Sequence, residues 1–330
     1  MTDTQEPGAE PGTELEAELA ATPDLETLYE RLGTRSVGAG WNKKTPSLYP
    51  EPKKDFVPFQ WHWKDGKAAL DAAGRLIDTN LAERRNLILH NPGDPNDYAT
   101  VHTLICAYQM ILPGEKARSH RHTPNALRFV LDGEGAYTVV DGERLDLHPN
   151  DVLLTPNWCY HGHGSEAEGA CSWMDCLDVP MVHFMEPMFY EQHPDDFEPV
   201  RSTPVNSHYL FAWDDMQSNL DRTTPDPEGR YGRRIELGSP ALKSIGLHMN
   251  RMAAGTATRR TRTTANQIIC VAEGAGTSTI DGEKFTWERG DILAVPSWRP
   301  FEHHVTTDAT LFEMNDEPLI RAMGWLRTAD

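Results

Sequence analysis

The sequence predicts a mainly β protein: two jelly-roll β-barrels in one chain, preceded by a helical N-terminal region. Three observations carry this reading. From about residue 84, short runs rich in β-branched and aromatic residues alternate with turn signals, at 87–89 (LIL), 103–108 (TLICAY), 127–131 (LRFVL), 136–142 (AYTVVDG) and 151–154 (DVLL). The chain then repeats itself. Gly114, Gly133, Asp141, Gly142, Asp151, Pro156 and Trp158 recur as Gly255, Gly274, Asp281, Gly282, Asp291, Pro296 and Trp298, at an offset that stays at 140 or 141 residues. Ahead of residue 84 the apolar spacing is instead helical.

Residues 1–20 are acidic and punctuated by Gly and Pro, and read as a disordered leader. Residues 21–83 form a helical and irregular region. Thr22, Pro23 and Asp24 suit a helix start, and Leu25, Leu28, Tyr29 and Leu32 carry the helix to Gly33. Residues 34–65 are rich in Pro and Trp and lack a period. A second helix is expected from Lys67 to about Asn80, with Leu70, Ala73 and Ile77 on one face. The first barrel covers 84–185, with Asp132-Gly133 and Asp141-Gly142 as hairpin turns. A linker is expected over 186–235, and the second barrel over 236–330. Trp158 and Trp298 recur in both copies, which assigns them to the core.

Composition narrows the function. The formal net charge is −19, which argues against nucleic-acid binding. An anionic substrate would need arginines supplied by the site itself. No apolar run approaches the roughly 18 residues of a membrane span. The N-terminus lacks a basic and apolar signal pattern, and the five cysteines form no CxxC pair. A cytoplasmic setting is therefore expected.

Residues 114–122 (GEKARSHRH) and 151–163 (DVLLTPNWCYHGH) carry the chemistry. On a strand, His120 and His122 share a face, because side chains alternate with period two. His161 from a neighbouring strand completes one face of a metal. Three neutral nitrogens suit a divalent transition metal and leave coordination positions open. An HxH pair alone means little. The glycine before it, the turns after it and the Asp-Pro-His segment give it weight. In the second copy the equivalent positions are Thr261, Thr263 and Phe301, and only His163 keeps a histidine counterpart, His303. The metal is therefore expected in the first barrel only, one per chain.

This layout resembles the cupin superfamily, with Gly114, His120, His122 and Gly133 in one motif and Asp151, Pro156 and His161 in the next. The glutamate that many cupins place four or five residues after the second histidine is absent; Ala126 and Leu127 stand there. Segments 83–87 (ERRNL), 109–115 (QMILPGE), 120–129 (HRHTPNALRF), 133–142 (GEGAYTVVDG), 155–158 (TPNW) and 173–180 (WMDCLDVP) are together similar to the gentisate 1,2-dioxygenase family, which includes salicylate and 1-hydroxy-2-naphthoate dioxygenases. The resemblance implies a bicupin holding Fe(II) through His120, His122 and His161. It implies an extradiol-type dioxygenase that opens an aromatic ortho-hydroxycarboxylate between the carboxyl- and hydroxyl-bearing carbons with O₂. Gentisate, giving maleylpyruvate, is the default substrate; salicylate, a substituted salicylate and 1-hydroxy-2-naphthoate are the alternatives. The resemblance also suggests a homotetramer.

Arg128 lies six residues after His122, so on a strand it shares that residue's face, and it is the first candidate to fork a substrate carboxylate. Arg84 is the second candidate, whereas Arg85 points to the opposite face and is structural. His163, two residues after His161, is the candidate acid/base. Gln109 is expected to contact substrate or oxygen, and Asp175 to support the site from behind. The run 158–165 (WCYHGHGS) departs from a common WTWHDHGN, placing Gly162 where the family often has an acid, and 105–108 (ICAY) also departs. Both leave open whether a 5-hydroxyl is required on the ring. Two other readings remain: thiol or diketone dioxygenation at a three-histidine site, and a non-catalytic bicupin that binds a ligand.

Overall fold

In the computed structural model, residues 11–78, 84–93, 96–238 and 241–330 are described. The chain falls into two units, Met1–Glu51 and Pro52–Asp330. In the first, α1 (Pro11–Ala20) and α2 (Leu25–Gly33) are helices. The expected disordered leader is therefore corrected over residues 11–20. The Glu, Leu and Ala residues of this stretch all favour a helix. Asp24 caps α2, its carboxylate accepting the Thr27 N–H at 2.8 Å.

The second unit opens with β1 (Phe59–Trp61) and α3 (Trp63–Leu76). The helix starts four residues earlier than Lys67, the expected start, and its expected end at Asn80 lies outside the described residues. The first lobe follows: β2 (Arg85–Ile88), β3 (Ile105–Ile111), β4 (Lys116–His122), β5 (Ala126–Asp132), β6 (Ala136–Val140), β7 (Glu143–Asp146), β8 (Val152–Thr155), β9 (His161–Ser165) and β10 (Cys171–Leu177). Then come α4 (Val179–Met185), β11 (Tyr190–Gln192), β12 (Leu210–Phe211) and α5 (Trp213–Arg222). The second lobe holds β13 (Arg233–Glu236), β14 (Gly246–Met252), β15 (Arg262–Thr263), β16 (Gln267–Glu273), β17 (Ala275–Ile280), β18 (Glu283–Glu288), β19 (Ile292–Val295), β20 (Phe301–Val305), β21 (Ala309–Asn315), α6 (Glu317–Ala322) and β22 (Thr328–Ala329).

The first lobe pairs sheet β12-β8-β5-β10-β3-β2 with sheet β11-β4-β9-β6-β7. The second repeats the larger sheet as β1-β19-β16-β21-β14-β13, with β18-β17-β20 and the pair β15-β22 beside it. The repeat in sequence is thus a repeat in topology. The two-residue turns Asp141-Gly142 and Asp281-Gly282 have positive φ at both positions, as tight hairpins require. Asp132-Gly133 does not make the expected hairpin. It carries the chain from β5 in one sheet to β6 in the other, so its strands do not pair.

The lobes exchange edge strands. β1 precedes the first lobe yet pairs with β19 of the second, and β12 precedes the second lobe yet pairs with β8 of the first. The repeated aspartates lock both exchanges: Asp291 Oδ1 accepts the Trp63 N–H that opens α3, and Asp151 Oδ1 accepts the Trp213 N–H that opens α5, each at 2.8 Å. Residues 186–235 are therefore not a separate linker, since β11, β12 and β13 all extend lobe sheets. One core joins the lobes, with Phe129 stacked on Phe312 at 5.1 Å among Leu127, Met110, Met249 and Ile268. The recurring tryptophans lie outside it. Trp158 is 38% exposed, both take φ of 62°, and each lies under a guanidinium, Arg121 or Arg262, at 4.6 Å. Their recurrence reflects a repeated turn rather than core packing.

Candidate active site

Antiparallel register brings the histidines together. His120 on β4 is the direct partner of His161 on β9, and His122 lies two residues further along the same face. One ring nitrogen from each lies within 4.8 Å of the other two, the sole such cluster of His, Cys, Asp or Glu among the described residues. Each Nδ1 faces a backbone carbonyl: Arg118 O at 3.3 Å for His120, Pro124 O at 2.8 Å for His122, and Cys159 O at 3.0 Å for His161. A carbonyl only accepts, so each Nδ1 carries the proton and each Nε2 keeps its lone pair free. Burial and the nearby cations hold the rings neutral. His120 falls to about 3, His122 is lowered, and His161 lies well below the ordinary imidazole range. Three neutral imidazoles with orientated rings fit a divalent transition metal.

Gly162 explains the sequence departure at that position. A Cβ there would strike Ser119, which lies between Arg118 and His120. Ser119 Oγ instead accepts the Glu198 N–H at 2.8 Å. An acid at position 162 would require the Ser119 hydroxyl to move off its Glu198 contact, the Ser119 Cα lying 3.2 Å from the added Cβ.

The facing sheet supplies the polar groups. Arg128 sits on β5, not on the strand of His122; a turn separates the two, and Arg128 reaches the lumen from the opposite wall. It is buried, and burial lowers it to about 10, which leaves it protonated at neutral pH. Its Nε lies 3.0 Å from Asp175 Oδ1 in an ion pair not aligned as a hydrogen bond. Its Nη2 donates to His163 Nε2 at 2.8 Å, and Nη1 approaches Thr138 Oγ1 at 3.4 Å. One N–H on each of Nη1 and Nη2 has no hydrogen-bond partner among the described residues. Arg84 also points its Nη1 at His163 Nε2, at 3.4 Å. Two guanidiniums thus face one carboxylate, a local positive excess in a chain of net charge −19.

His163 is where the expected acid/base role meets a contrary geometry. An arginine can only donate, so His163 Nε2 is the acceptor and Nδ1–H donates to Thr138 Oγ1 at 3.0 Å. Both ring nitrogens are engaged and the ring is held well below the ordinary imidazole range. His303 makes the same contact to Ser278 Oγ, at 2.7 Å, in the lobe that lacks the triad. The arrangement suits His163 to orienting Arg128.

A cavity of about 460 Å³ is lined by the three histidines of the triad, Arg84, Arg128 and Asp175, while His163 is not part of its wall. Gln109 lines it, with a buried Oε1 that has no partner. The remaining wall is Ile88, Ile105, Ala107, Leu177 and Val179, with Asn86 beside Arg84. Tyr190 stacks on His120 at 5.1 Å. Sequence reasoning passed over Asn86 and Tyr190. Asn86 lay inside the quoted 83–87 segment, whose Glu83 falls outside the described residues; Tyr190 lay in a stretch without periodicity. Arg85 is structural as expected, its guanidinium clamped on Glu115 at 2.6 and 2.8 Å.

The second lobe fills the corresponding space with its own charges. Glu313, at the position of Asp175, takes Arg234 at 2.7 and 2.9 Å and Asn315 at 2.8 Å, and the pair holds it at about 2. Thr261, Thr263 and Phe301 stand where the histidines do in the first lobe.

The cupin domain family matches residues 107–179 and 248–314, one stretch in each lobe. The chain is 30% identical to gentisate 1,2 dioxygenase 1 of Aquipseudomonas alcaligenes, over 93% of this chain and 97% of that protein. It is 32% identical to the 5-aminosalicylate 1,2-dioxygenase of a Comamonas species, over 92% and 90%. The salicylate 1,2-dioxygenase of Pseudoaminobacter salicylatoxidans, solved as adducts with gentisate, superposes with a TM-score of 0.85 at 28% identity, covering 94% of each chain.

Proposed function

Because the chain belongs to the gentisate 1,2-dioxygenase family of bicupin, ring-cleaving oxidoreductases, we propose that it opens an aromatic ring bearing adjacent carboxylate and hydroxyl groups, between the two carbons that carry them. His120, His122 and His161 would hold one Fe(II) per chain, in the first lobe. When bound, the metal brings the substrate oxygens and O₂ together and lets electron density pass from ring to oxygen. Both oxygen atoms enter the product.

The observation that carries this reading is the pair Arg84 and Arg128 facing the triad across a single cavity. A substrate carboxylate neutralises their excess charge by charge-assisted hydrogen bonds. Arg128 binds with its two free N–H groups, and His163, Thr138 and Asp175 hold its plane. Gln109 Oε1 accepts a substrate hydroxyl and so gains the partner it lacks. The absence of a protein carboxylate among the ligands leaves the metal's full charge for a dianionic chelate. Ile88, Ile105, Leu177 and Val179 exclude water from the ring.

Gentisate is the default substrate. The same apolar wall favours a second reading, a salicylate with an apolar substituent or a fused ring, because a 5-hydroxyl directed there would lose its hydrogen bond to water. Protein loaded anaerobically with Fe(II) is given gentisate, salicylate, 5-substituted salicylates and 1-hydroxy-2-naphthoate, then O₂. Ring-opened product from at least one of them is expected; turnover of none refutes the proposal. A homotetramer in the cytoplasm completes the reading. The described residues include no helix long and apolar enough to cross a membrane, and all five cysteines are free. Light scattering tests the assembly.

A further inference from the structure

Asp178 belongs to the 173–180 segment, yet no step above uses it. It is buried. Its Oδ1 accepts the Asn125 N–H at 2.8 Å, and its Oδ2 accepts Asn125 Nδ2–H at 3.1 Å and the Ser244 hydroxyl. Asn125 Nδ2 also donates to Ser244 Oγ at 2.8 Å, and Asn125 Oδ1 accepts the Asn157 N–H at 3.0 Å. Ser244 precedes β14 and belongs to the second lobe.

The peptide between Pro124 and Asn125 has both ends committed. Its N–H goes to Asp178, and its carbonyl accepts Nδ1–H of His122 at 2.8 Å. Carboxylate, peptide and imidazole therefore form one chain that ends at the Nε2 facing the cavity. Hydrogen bonds in series polarise one another. A carboxylate behind a metal-ligating histidine fixes the ring and strengthens it as a ligand. Here the carboxylate reaches the histidine through a peptide group.

The second lobe carries the mirror image. Asp316 accepts Asn266 N–H and Nδ2–H, each at 2.8 Å, and the Thr103 hydroxyl at 2.6 Å; Asn266 Oδ1 accepts the Ser297 N–H at 3.0 Å. Thr103 belongs to the first lobe. Each lobe thus lends one hydroxyl to the Asn–Asp pair of the other. In the second lobe the residue at the place of His122 is Thr263, so that clasp has no metal ligand to act upon. Both clasps dock the lobes; only the first reaches the triad.

We propose that Asp178 is a positioning residue for His122, acting through the Pro124–Asn125 peptide, and that the metal-free lobe, through Ser244, thereby sets how tightly the first lobe holds its metal. This rests on the metal site proposed above. The test uses the full chain and measures Fe(II) affinity by competition with a chelator, with Co(II) absorption as a spectroscopic reading of ligand geometry. Asp178→Asn weakens Fe(II) binding by about 10- to 100-fold and alters the Co(II) spectrum. Ser244→Ala shifts both in the same direction by a smaller factor. The mirror variants Asp316→Asn and Thr103→Val lower Tm but leave affinity and spectrum at wild-type values. Asp178→Asn and Ser244→Ala that lose Tm yet keep wild-type affinity overturn the inference. So do mirror variants that weaken the metal as much. Should Asp178→Asn not fold, Ser244→Ala, one hydroxyl removed outside the first lobe, still decides it. If the wild-type protein takes up no metal, or His122→Ala holds it as tightly, the metal-site proposal itself fails, and this inference fails with it.

Discussion

Replacing Arg84 by methionine separates substrate binding from folding. Arg84 is only partly buried, and among the described residues its contact with His163 Nε2, at 3.4 Å, is too long for a strong hydrogen bond. Its loss therefore costs the fold about 0–1 kcal/mol. A charge-assisted hydrogen bond to a carboxylate contributes about 1.5–3 kcal/mol. Arg84→Met should then lower kcat/KM by roughly 10- to 150-fold. Most of the change should fall in KM, because the carboxylate is present in the ground state as well as the transition state. Steady-state O₂ uptake reads this directly. Inhibition by benzoate should weaken by the same factor, while inhibition by phenol, which has no carboxylate, should not change. Arg128→Met behaves differently. It strands Asp175, which is 3% exposed, and removing one partner of a buried pair costs about 3–5 kcal/mol, so Tm falls sharply along with activity. An Arg84→Met protein that retains iron, with KM and benzoate inhibition unchanged, refutes the carboxylate assignment.

Three further outcomes are expected. His122→Ala loses bound iron and turnover, whereas Thr261→Ala, at the equivalent of His120, keeps both; metal analysis and O₂ uptake check this. The fold is acid-labile, the second lobe included. His248 and His303 sit at about 4 in the folded chain against an ordinary value of 6.5, so the unfolded chain binds protons first. Their contribution is present above about pH 6.5 and is lost toward pH 4, by up to ~1.4 kcal/mol per pH unit for each group; a urea midpoint identical at pH 7 and pH 5 contradicts it. Glu313→Ala leaves Arg234 without its counter-charge and destabilises the protein by about 3–5 kcal/mol, seen in urea unfolding, while iron content stays at one per chain.

The triad was legible because its signal is local and periodic. His120 and His122 need only a strand between them, and the repeat supplied a comparison in which Thr261 and Thr263 replace them. The repeat also foretold the two lobes. It did not show that β1 and β12 would each pair with the lobe other than the one they lead into, because two- and three-residue strands leave no period to read. Arg128 was assigned to the cavity through strand parity, although a turn separates it from His122; alternation on β5 and the closing of two sheets put it there. The tautomer of His163 was beyond the sequence, since it depends on Arg128, Arg84 and Thr138 meeting at one ring. Trp158 and Trp298 misled because recurrence marks any repeated local geometry, and here it marked a left-handed turn. The Asn125, Asp178 and Ser244 clasp joins positions 119 residues apart and carries no spacing rule.

The most direct test of the account is a single-turnover experiment. Protein carrying one Fe(II) per chain is saturated anaerobically with the best substrate of the panel and then given a limiting amount of O₂. The account predicts one ring-opened product for each O₂ consumed, with both atoms of ¹⁸O₂ in the product, and none from His122→Ala. Oxygen consumed without ring opening, product retaining no ¹⁸O, or undiminished product from His122→Ala would contradict it.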